Sequence, residues 1–354
     1  MPRINRGTKV KTAPIESINV KRRNVLSSFL FGSIALATAQ IADAMDRSGF
    51  SAKRLRASNS TQENSPMTLT YKTQKVGNVD VFYREAGRPG SPVLLLLHGY
   101  PTAGHMFRDL IPLLADDYHV IAPDLPGFGN TKAPPRGQFD YTFDHLAQVV
   151  THFTEALNLA KYALYVFDYG APTGFRVAAA HPERVTAIIS QNGNAYEEGL
   201  SDVWGPYQAY WRSPSEQTRE ACRDALSPEA IRMQYLHGAD PLKVSPDGYT
   251  LDTAYISRPG MDDIQLDLIL DYRTNVALYP TWQAYFRKHQ PPLLAVWGDQ
   301  DPFFLPAGAK AYKRDIPDAE VHLLNTGHFA LETNANETAG LIRNFMNRKV
   351  RSVS

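Results

Sequence analysis

Residues 162–174 read Y-A-L-Y-V-F-D-Y-G-A-P-T-G, and this segment is the most informative one for predicting the fold of the chain. Its first part, Tyr162–Phe167, is apolar and favours a buried strand, while Gly170–Ala180 favours a helix. Asp168 therefore lies on a sharp turn from strand to helix, and Gly170 supplies the small residue that such a bend needs. A turn of this kind exposes one side chain at the end of a sheet, where it can act as a nucleophile.

The carboxylate at this turn limits the chemistry that follows. A carboxylate is a weak nucleophile toward acyl carbon, but it can displace a leaving group from saturated carbon and form an alkyl ester with the enzyme. Asp168 could instead cap the following helix, which is an ordinary task for an aspartate. As a nucleophile, Asp168 predicts the opening of an epoxide or the removal of a halide.

The segments around this turn alternate between strand and helix patterns. Alternating polarity predicts antiparallel strands at 68–75 and 79–85, and a continuous apolar run predicts a buried strand at 93–97. Further strands are expected at 119–122, 162–167, 185–190, 293–296 and 321–324, with helices at 107–114, 143–157 and 173–180. This order predicts an α/β fold with a mostly parallel, doubly wound sheet. Between residues 195 and 290 the alternation gives way to helical stretches, which we interpret as an inserted helical cap.

Composition excludes several functional classes. A chain of 354 residues with 43% hydrophobic residues can bury one large core or two moderate ones. The formal net charge is +1 and the basic residues are mixed with acids after the first few dozen positions, so we expect no nucleic-acid partner. The single cysteine, Cys222, excludes an intramolecular disulfide and a cysteine-rich metal cluster, and it is interpreted as a packing residue.

The N-terminal segment differs from the rest of the chain. Seven Lys and Arg residues stand against one acid before an apolar run at 25–39, which closes with small residues. This pattern predicts an export signal at 1–45 that is too short for a stable membrane span, and the pair Arg22-Arg23 is similar to a twin-arginine signal. Residues 46–66 are predicted to be a flexible linker. We therefore expect a periplasmic or secreted protein, or a cytoplasmic one if residues 1–66 are not a signal.

Four motifs occur in a characteristic order along the remaining chain. They are H-G-Y-P at 98–101, the turn at Asp168, W-G-D-Q-D at 297–301 and T-G-H-F at 326–329. Each is weak alone, but as an ordered set they resemble the α/β-hydrolase superfamily, within it the aspartate-nucleophile branch of epoxide hydrolases and haloalkane dehalogenases. The resemblance implies a core of residues 67–194 and 291–354, with a cap at 195–290 between its two parts.

Two residues are candidates for the base and acid that hydrolyse the ester. A histidine is the natural base near neutral pH, and His328 completes the order of the superfamily. Its acid partner could be Asp299 or Asp301, since both follow the same predicted strand, and the superfamily spacing selects Asp301. Asp124 also ends a strand, but its loop is interpreted as scaffold.

The resemblance also assigns an oxyanion hole and lid residues. The backbone N–H groups of Tyr100 and Tyr169 would hold the developing oxyanion. An opening epoxide needs a proton donor, and the lid tyrosines of epoxide hydrolases correspond to Tyr207 and Tyr272. Two neighbours of the first lid tyrosine, Tyr210 and Trp211, are predicted to bind substrate. Tyr210 is also an alternative to Tyr207 as the lid tyrosine.

Two departures from the family pattern weaken a dehalogenase function. Residue 169 is Tyr where both families usually carry Trp, and Tyr100 stands where many dehalogenases place Asn or Glu, so two contacts to a halide are missing. We therefore expect an epoxide hydrolase that acts on a small apolar substrate, without metal or organic cofactor, as a monomer or weak homo-oligomer. Haloalkane dehalogenase is the first alternative. A non-catalytic binding protein on the same fold and an esterase are the others.

Overall fold

The computed structural model describes residues 68–350. The predicted export signal at 1–45 and the predicted linker at 46–66 lie outside the described residues. No helix within the described range is long and apolar enough to cross a membrane.

A single sheet of eight strands organises residues 68–350. The strands are β1 (Thr70–Val76), β2 (Val79–Ala86), β3 (Val93–Leu97), β4 (His119–Pro123), β5 (Tyr162–Phe167), β6 (Val185–Gln191), β7 (Leu293–Gly298) and β8 (Glu320–Leu324). Their order across the sheet is β1-β2-β4-β3-β5-β6-β7-β8. Strand β2 pairs antiparallel with β1 and with β4, whereas the pairs from β4 to β8 are parallel. The mostly parallel sheet predicted from the sequence is confirmed.

Ten α-helices flank this sheet within the described residues. They are α1 (Leu110–Leu114), α2 (Phe143–Ala156), α3 (Gly170–Ala180), α4 (Gly205–Arg212), α5 (Glu216–Glu220), α6 (Pro228–Leu236), α7 (Pro246–Ile256), α8 (Met261–His289), α9 (Pro306–Asp315) and α10 (Ala330–Lys349). Short 3-10 turns occupy Gly104–Phe107, Pro182–Arg184, Glu197–Gly199, Asp202–Trp204 and Arg223–Leu226.

The helix predicted at 107–114 is wrong in its first part. A separate 3-10 turn covers Gly104–Phe107 and α1 begins only at Leu110. The physical reason lies in a neighbouring strand end, because the backbone N–H of Gly104 donates to the buried Asp124 carboxylate at 2.8 Å. Arg84 donates to the same oxygen at 2.8 Å, so Asp124 fixes the start of the 3-10 turn as a scaffold residue.

The core lies on both faces of the sheet. In β3, Leu95 and Leu97 face one apolar cluster while Leu94 and Leu96 face the other. All six residues of β5 are buried. A parallel sheet buried on both faces produces the continuous apolar runs that the sequence shows. The turn that carries Asp168 therefore follows a strand enclosed by protein on both sides.

Helices α4 to α8 lie between β6 and β7, where the sequence predicts the cap. The long helix α8 is anchored to α3 by Arg176, whose guanidinium donates to Asn275 at 2.6 Å and to Thr274 at 2.9 Å. Because α3 directly follows the Asp168 turn, this anchor ties the cap to the element that presents the carboxylate. The core and cap boundaries given above, at 67–194, 195–290 and 291–354, stay predictions.

Candidate active site

Asp168 occupies a strained backbone position between β5 and α3. Its φ angle is +47°, in the left-handed region that a non-glycine residue enters only at a cost in free energy. The surrounding backbone approaches closely, since a Cβ atom on Gly99 would lie 2.2 Å from Asp168 Oδ1 and one on Gly170 would lie 2.2 Å from the Leu97 carbonyl oxygen. Glycine is therefore required at both positions for this turn to form.

Two backbone N–H groups hold the Asp168 carboxylate. The N–H of Tyr100 donates to Oδ1 at 2.6 Å, and the N–H of Tyr169 also bonds this side chain. Burial raises the pKa of Asp168 to about 6, although His328 and the two N–H groups oppose this rise. The N–H groups of the two residues predicted to form the oxyanion hole thus both bond the Asp168 carboxylate, and the Tyr100 N–H holds Oδ1.

His328 lies between two carboxylates. Its Nδ1 is 2.7 Å from Asp301 Oδ2, and its Nε2 is 3.9 Å from Asp168 Oδ2. Burial lowers the pKa of His328, but the negative charges of Asp301 and Asp168 and the hydrogen bond to Asp301 outweigh burial and raise the pKa above its ordinary value. At 3.9 Å the Nε2 atom is too far from Asp168 Oδ2 for a hydrogen bond, so this ring nitrogen makes none to the described residues.

Asp301 is fixed by contacts from two loops. Its Oδ1 accepts the backbone N–H of Phe303 at 2.7 Å, and its Oδ2 accepts the side-chain amide of Asn192 at 2.7 Å. Asp299, the other acid after β7, is exposed, and its backbone N–H donates to Leu324 in the neighbouring strand. The structure therefore brings Asp301, and not Asp299, to His328.

Sequence reasoning missed the supporting role of Asn192. This buried residue follows β6 with a φ of +45°, and its side-chain oxygen accepts the N–H of Gly298 at 3.0 Å while its amide bonds Asp301. Asparagine tolerates this left-handed conformation better than most residues. The segment S-Q-N-G at 190–193 gave the only signal, a polar residue at the end of a buried strand.

His98 is a histidine with a different environment. Its two ring nitrogens are both used locally, because Nδ1 lies 3.0 Å from the Gly99 carbonyl and Nε2 accepts the N–H of Leu125 at 2.8 Å. Burial lowers its pKa to about 4. His98 therefore stays neutral and holds two loops together.

A small cavity of about 40 Å³ opens between Asp168, His328 and the cap. Its wall is largely aromatic and includes Tyr100, Tyr169, Trp204, Tyr207 and Phe303. Tyr207 comes from α4, and its hydroxyl has no hydrogen-bond partner among the described residues. Burial raises the pKa of Tyr207 to about 12, so its hydroxyl keeps its proton at neutral pH.

Tyr272, the second predicted lid tyrosine, does not line this cavity. It is buried in α8 behind the wall, where its ring stacks on Trp211 at 5.7 Å and lies 4.6 Å from the ring of Trp204. Burial and the neighbouring Tyr279 phenol raise its pKa well above the ordinary value. The sequence motif that pointed to Tyr272 has a structural role, because its residues Thr274 and Asn275 accept hydrogen bonds from Arg176, which anchors the cap.

The predicted substrate contacts Tyr210 and Trp211 also lie outside the cavity wall. The hydroxyl of Tyr210 accepts a hydrogen bond from Arg219 at 3.2 Å, and the indole N–H of Trp211 donates to the Ile269 carbonyl at 2.6 Å. Both side chains therefore join cap helices to one another. Packing between helices, which a linear pattern does not reveal, decides which aromatic residues of α4 reach the cavity.

The assembled groups can perform a two-step displacement. Asp168 lines the cavity with Oδ1 held by the N–H of Tyr100 and Oδ2 beside an imidazole that a second carboxylate orients. Such a set can form an ester and then activate water against it. Tyr207 adds a protonated donor in the same space.

Comparisons with known proteins agree with this fold. A family described as "alpha/beta hydrolase fold" matches residues 92–335. The "Uncharacterized hydrolase YNR064C" of Saccharomyces cerevisiae is 46% identical over 268 residues, which cover 74% of this chain and 92% of that protein. A haloalkane dehalogenase of Mycobacterium marinum is 30% identical over 267 residues, covering 73% of this chain and 85% of that protein.

A solved structure extends the likeness in fold. The epoxide hydrolase CorEH superimposes with a TM-score of 0.66 at 19% identity, covering 79% of this chain and 99% of that one. At this identity the likeness concerns the fold alone. The sheet order, the Asp168 turn and the family match over residues 92–335 together establish that the chain is a hydrolase and belongs to the α/β-hydrolase family.

Proposed function

We propose that the protein is an epoxide hydrolase that forms an alkyl ester on Asp168 and releases a vicinal diol. In the first step Asp168 Oδ2 attacks a ring carbon, the carbon–oxygen bond of the ring breaks, and the ring oxygen takes a proton from Tyr207. This step needs an ionised Asp168 and a protonated Tyr207. With pKa values of about 6 and about 12, both conditions hold at neutral and mildly alkaline pH.

In the second step His328 removes a proton from water, and the water oxygen attacks the ester carbon of Asp168. The carbonyl oxygen becomes anionic and is stabilised by the N–H groups of Tyr100 and Tyr169. The bond between this carbon and Oδ2 then breaks, the second proton of the added water passes to the departing oxygen, and the diol leaves with the old carboxylate oxygen while Asp168 returns to a carboxylate. The imidazolium of His328, stabilised by Asp301, returns its proton to Tyr207.

The observation that supports this proposal most strongly is which hydrogen-bond donors in the cavity are still available to a leaving group. The phenol of Tyr207 is free, whereas the indole N–H of Trp204, which could hold a departing halide, donates to the Phe303 carbonyl at 3.0 Å. Residue 169 is also Tyr and so offers no second indole. A free phenol suits an alkoxide that must be protonated.

Haloalkane dehalogenase is the second candidate. The haloalkane dehalogenase of Mycobacterium marinum, at 30% identity over most of its length, favours it. The same aspartate, base and acid would serve, with a halide in place of the ring oxygen as leaving group.

Parallel assays separate the two functions. Purified protein receives styrene oxide and a bromoalkane, and diol and bromide are measured. We expect diol at a much higher rate, and the Asp168→Asn variant, which keeps the side-chain shape, should produce neither. Bromide without diol would overturn the epoxide proposal.

A single turnover in oxygen-18 water tests the intermediate itself. The heavy isotope should enter the Asp168 side chain and be absent from the first diol formed. Isotope in that first diol, with none in the peptide that contains Asp168, would exclude the ester.

A further inference from the structure

A surface cleft of about 360 Å³ lies next to the cavity that contains Asp168. The two spaces share four lining residues, which are Tyr207, Ala225, Gln234 and Phe303. These four residues therefore form a thin partition between the cavity and the cleft. A substituent of a bound substrate that points away from Asp168 would meet this partition first.

Two members of the partition accept hydrogen bonds through their backbone carbonyls, and the side chains of the other two make no hydrogen bond to the described residues. The carbonyl of Ala225 accepts the hydroxyl of Tyr100 at 2.9 Å, and the carbonyl of Phe303 accepts the indole N–H of Trp204 at 3.0 Å. The side chains of Tyr207 and Gln234 have no hydrogen-bond partner among the described residues. The polar groups of the partition that remain available to a ligand are thus one phenol and one amide.

Gln234 contributes to the cavity wall a side-chain amide that makes no hydrogen bond to the described residues. It lies on α6, is 6% exposed, and faces a wall that is otherwise aromatic or apolar apart from Asp168, His328 and the phenols. Its amide atoms are not sealed off in the core, so they are accessible to a group bound in the cavity or the cleft. The side-chain amide offers a donor and an acceptor together, which complements a hydroxyl group.

We propose that Gln234 determines substrate specificity by binding a hydroxyl group on the carbon next to the epoxide ring, so that the preferred substrates are small hydroxylated epoxides. This inference rests on the proposed epoxide hydrolase function. Tyr207 donates a proton to the ring oxygen, while Gln234 forms hydrogen bonds with the substituent that points toward the cleft. Gln234 does not touch the reacting atoms, so its contribution falls mainly on KM.

The test compares glycidol with butylene oxide, which differ only in the exchange of a hydroxyl for a methyl group. In the wild type we expect kcat/KM for glycidol to exceed that for butylene oxide by about tenfold or more. Gln234→Leu, similar in size but without an amide, should reduce this ratio to about one or below, mostly through KM, and change kcat/KM for butylene oxide less than about threefold.

Glu229→Gln is the matched control, because Glu229 is exposed on the same helix and lines neither space. It should keep the wild-type ratio. Thermal unfolding checks that each variant folds, and Gln234→Met replaces Gln234→Leu if the leucine variant does not.

The outcomes distinguish a failure of the proposed role of Gln234 from a failure of the proposed epoxide hydrolase function. Diol from both epoxides without a preference for glycidol, or a preference that survives in Gln234→Leu or Gln234→Met, overturns the role of Gln234 and leaves the epoxide hydrolase function intact. Failure of the wild type to form diol from either epoxide overturns the function and the inference together.

Discussion

The core and the cap contribute to one cavity by different physical means. Asp168 and Asp301 come from turns that follow parallel strands, and all six residues of the strand before Asp168 are buried. Tyr207 comes from α4, an eight-residue helix in which only Tyr210 is buried. In the core, backbone hydrogen bonds between strands determine where a side chain lies. In the cap, contacts between side chains determine where a side chain lies. A sequence motif therefore places a residue well in the core but not in the cap.

The largest effect should come from the core, through His328→Gln. The first step needs no base, so the ester should form and then persist, while kcat falls by about 10³-fold or more. Intact-protein mass spectrometry after addition of an epoxide should show the protein heavier by one substrate. Loss of turnover without this adduct would contradict the role of His328 in the second step.

The cap is tested by a pair of tyrosine variants. Tyr207→Phe removes the free hydroxyl from the cavity and should lower kcat for epoxides by about 10²-fold, because general-acid assistance is lost. Tyr272→Phe removes a hydroxyl that lies behind the wall and should change kcat by less than about fivefold. The reverse order of these two losses would restore Tyr272 as the lid donor and refute the assignment to Tyr207.

A smaller effect is expected from the support of Asp301. Asn192→Gly keeps the left-handed backbone accessible but deletes the three side-chain hydrogen bonds to Asp301 and Gly298, so kcat should fall by about tenfold. Asn192→Ala loses the same bonds and adds backbone strain of about 1 kcal/mol, visible as a lower free energy of unfolding. Equal activity in the wild type and Asn192→Gly would show that Phe303 alone suffices to orient Asp301.

The last effect concerns stability, not turnover, and is a gain. Folding raises the pKa of Asp168 from 3.8 to about 6, so the folded state disfavours the ionised carboxylate. The native protein therefore loses stability as the pH rises from about 4 to about 6. Asp168→Asn removes this cost and should stabilise the protein by roughly 2–3 kcal/mol at pH 8. Urea unfolding at pH 8 and pH 4 should show the gain only at pH 8; a loss of stability at pH 8 would mean that the carboxylate is well solvated.

The sequence was sufficient for the fold and for the residues that meet around Asp168. Strand order follows from alternating apolar runs and helices, and the turns after strands put Asp168, Asp301 and His328 at one edge of the sheet. These three residues do lie together, within hydrogen-bonding or near-contact distance. Backbone geometry at a parallel sheet leaves little freedom, which is why motif order is informative there.

The cap residues could not be predicted in the same way. Tyr207 and Tyr210 lie one helical turn apart, yet of the two only Tyr207 lines the cavity, while the Tyr210 hydroxyl accepts a hydrogen bond from Arg219. The motif around Tyr272 reflects the Arg176 anchor. Gln234 carried no pattern at all, since a single polar residue on a short helix is equally compatible with exposure.

The size of the cavity has a consequence for the time course of turnover. About 40 Å³ accommodates only a few water-sized groups, at about 10–15 Å³ each. A reactant larger than this space and its product must therefore pass while cap side chains or helices are displaced, a motion that typically takes microseconds to milliseconds. When the chemical steps are fast, the displacement of α4 and α6 limits the rate of turnover. An added viscogen would then lower kcat although the catalytic groups are unchanged.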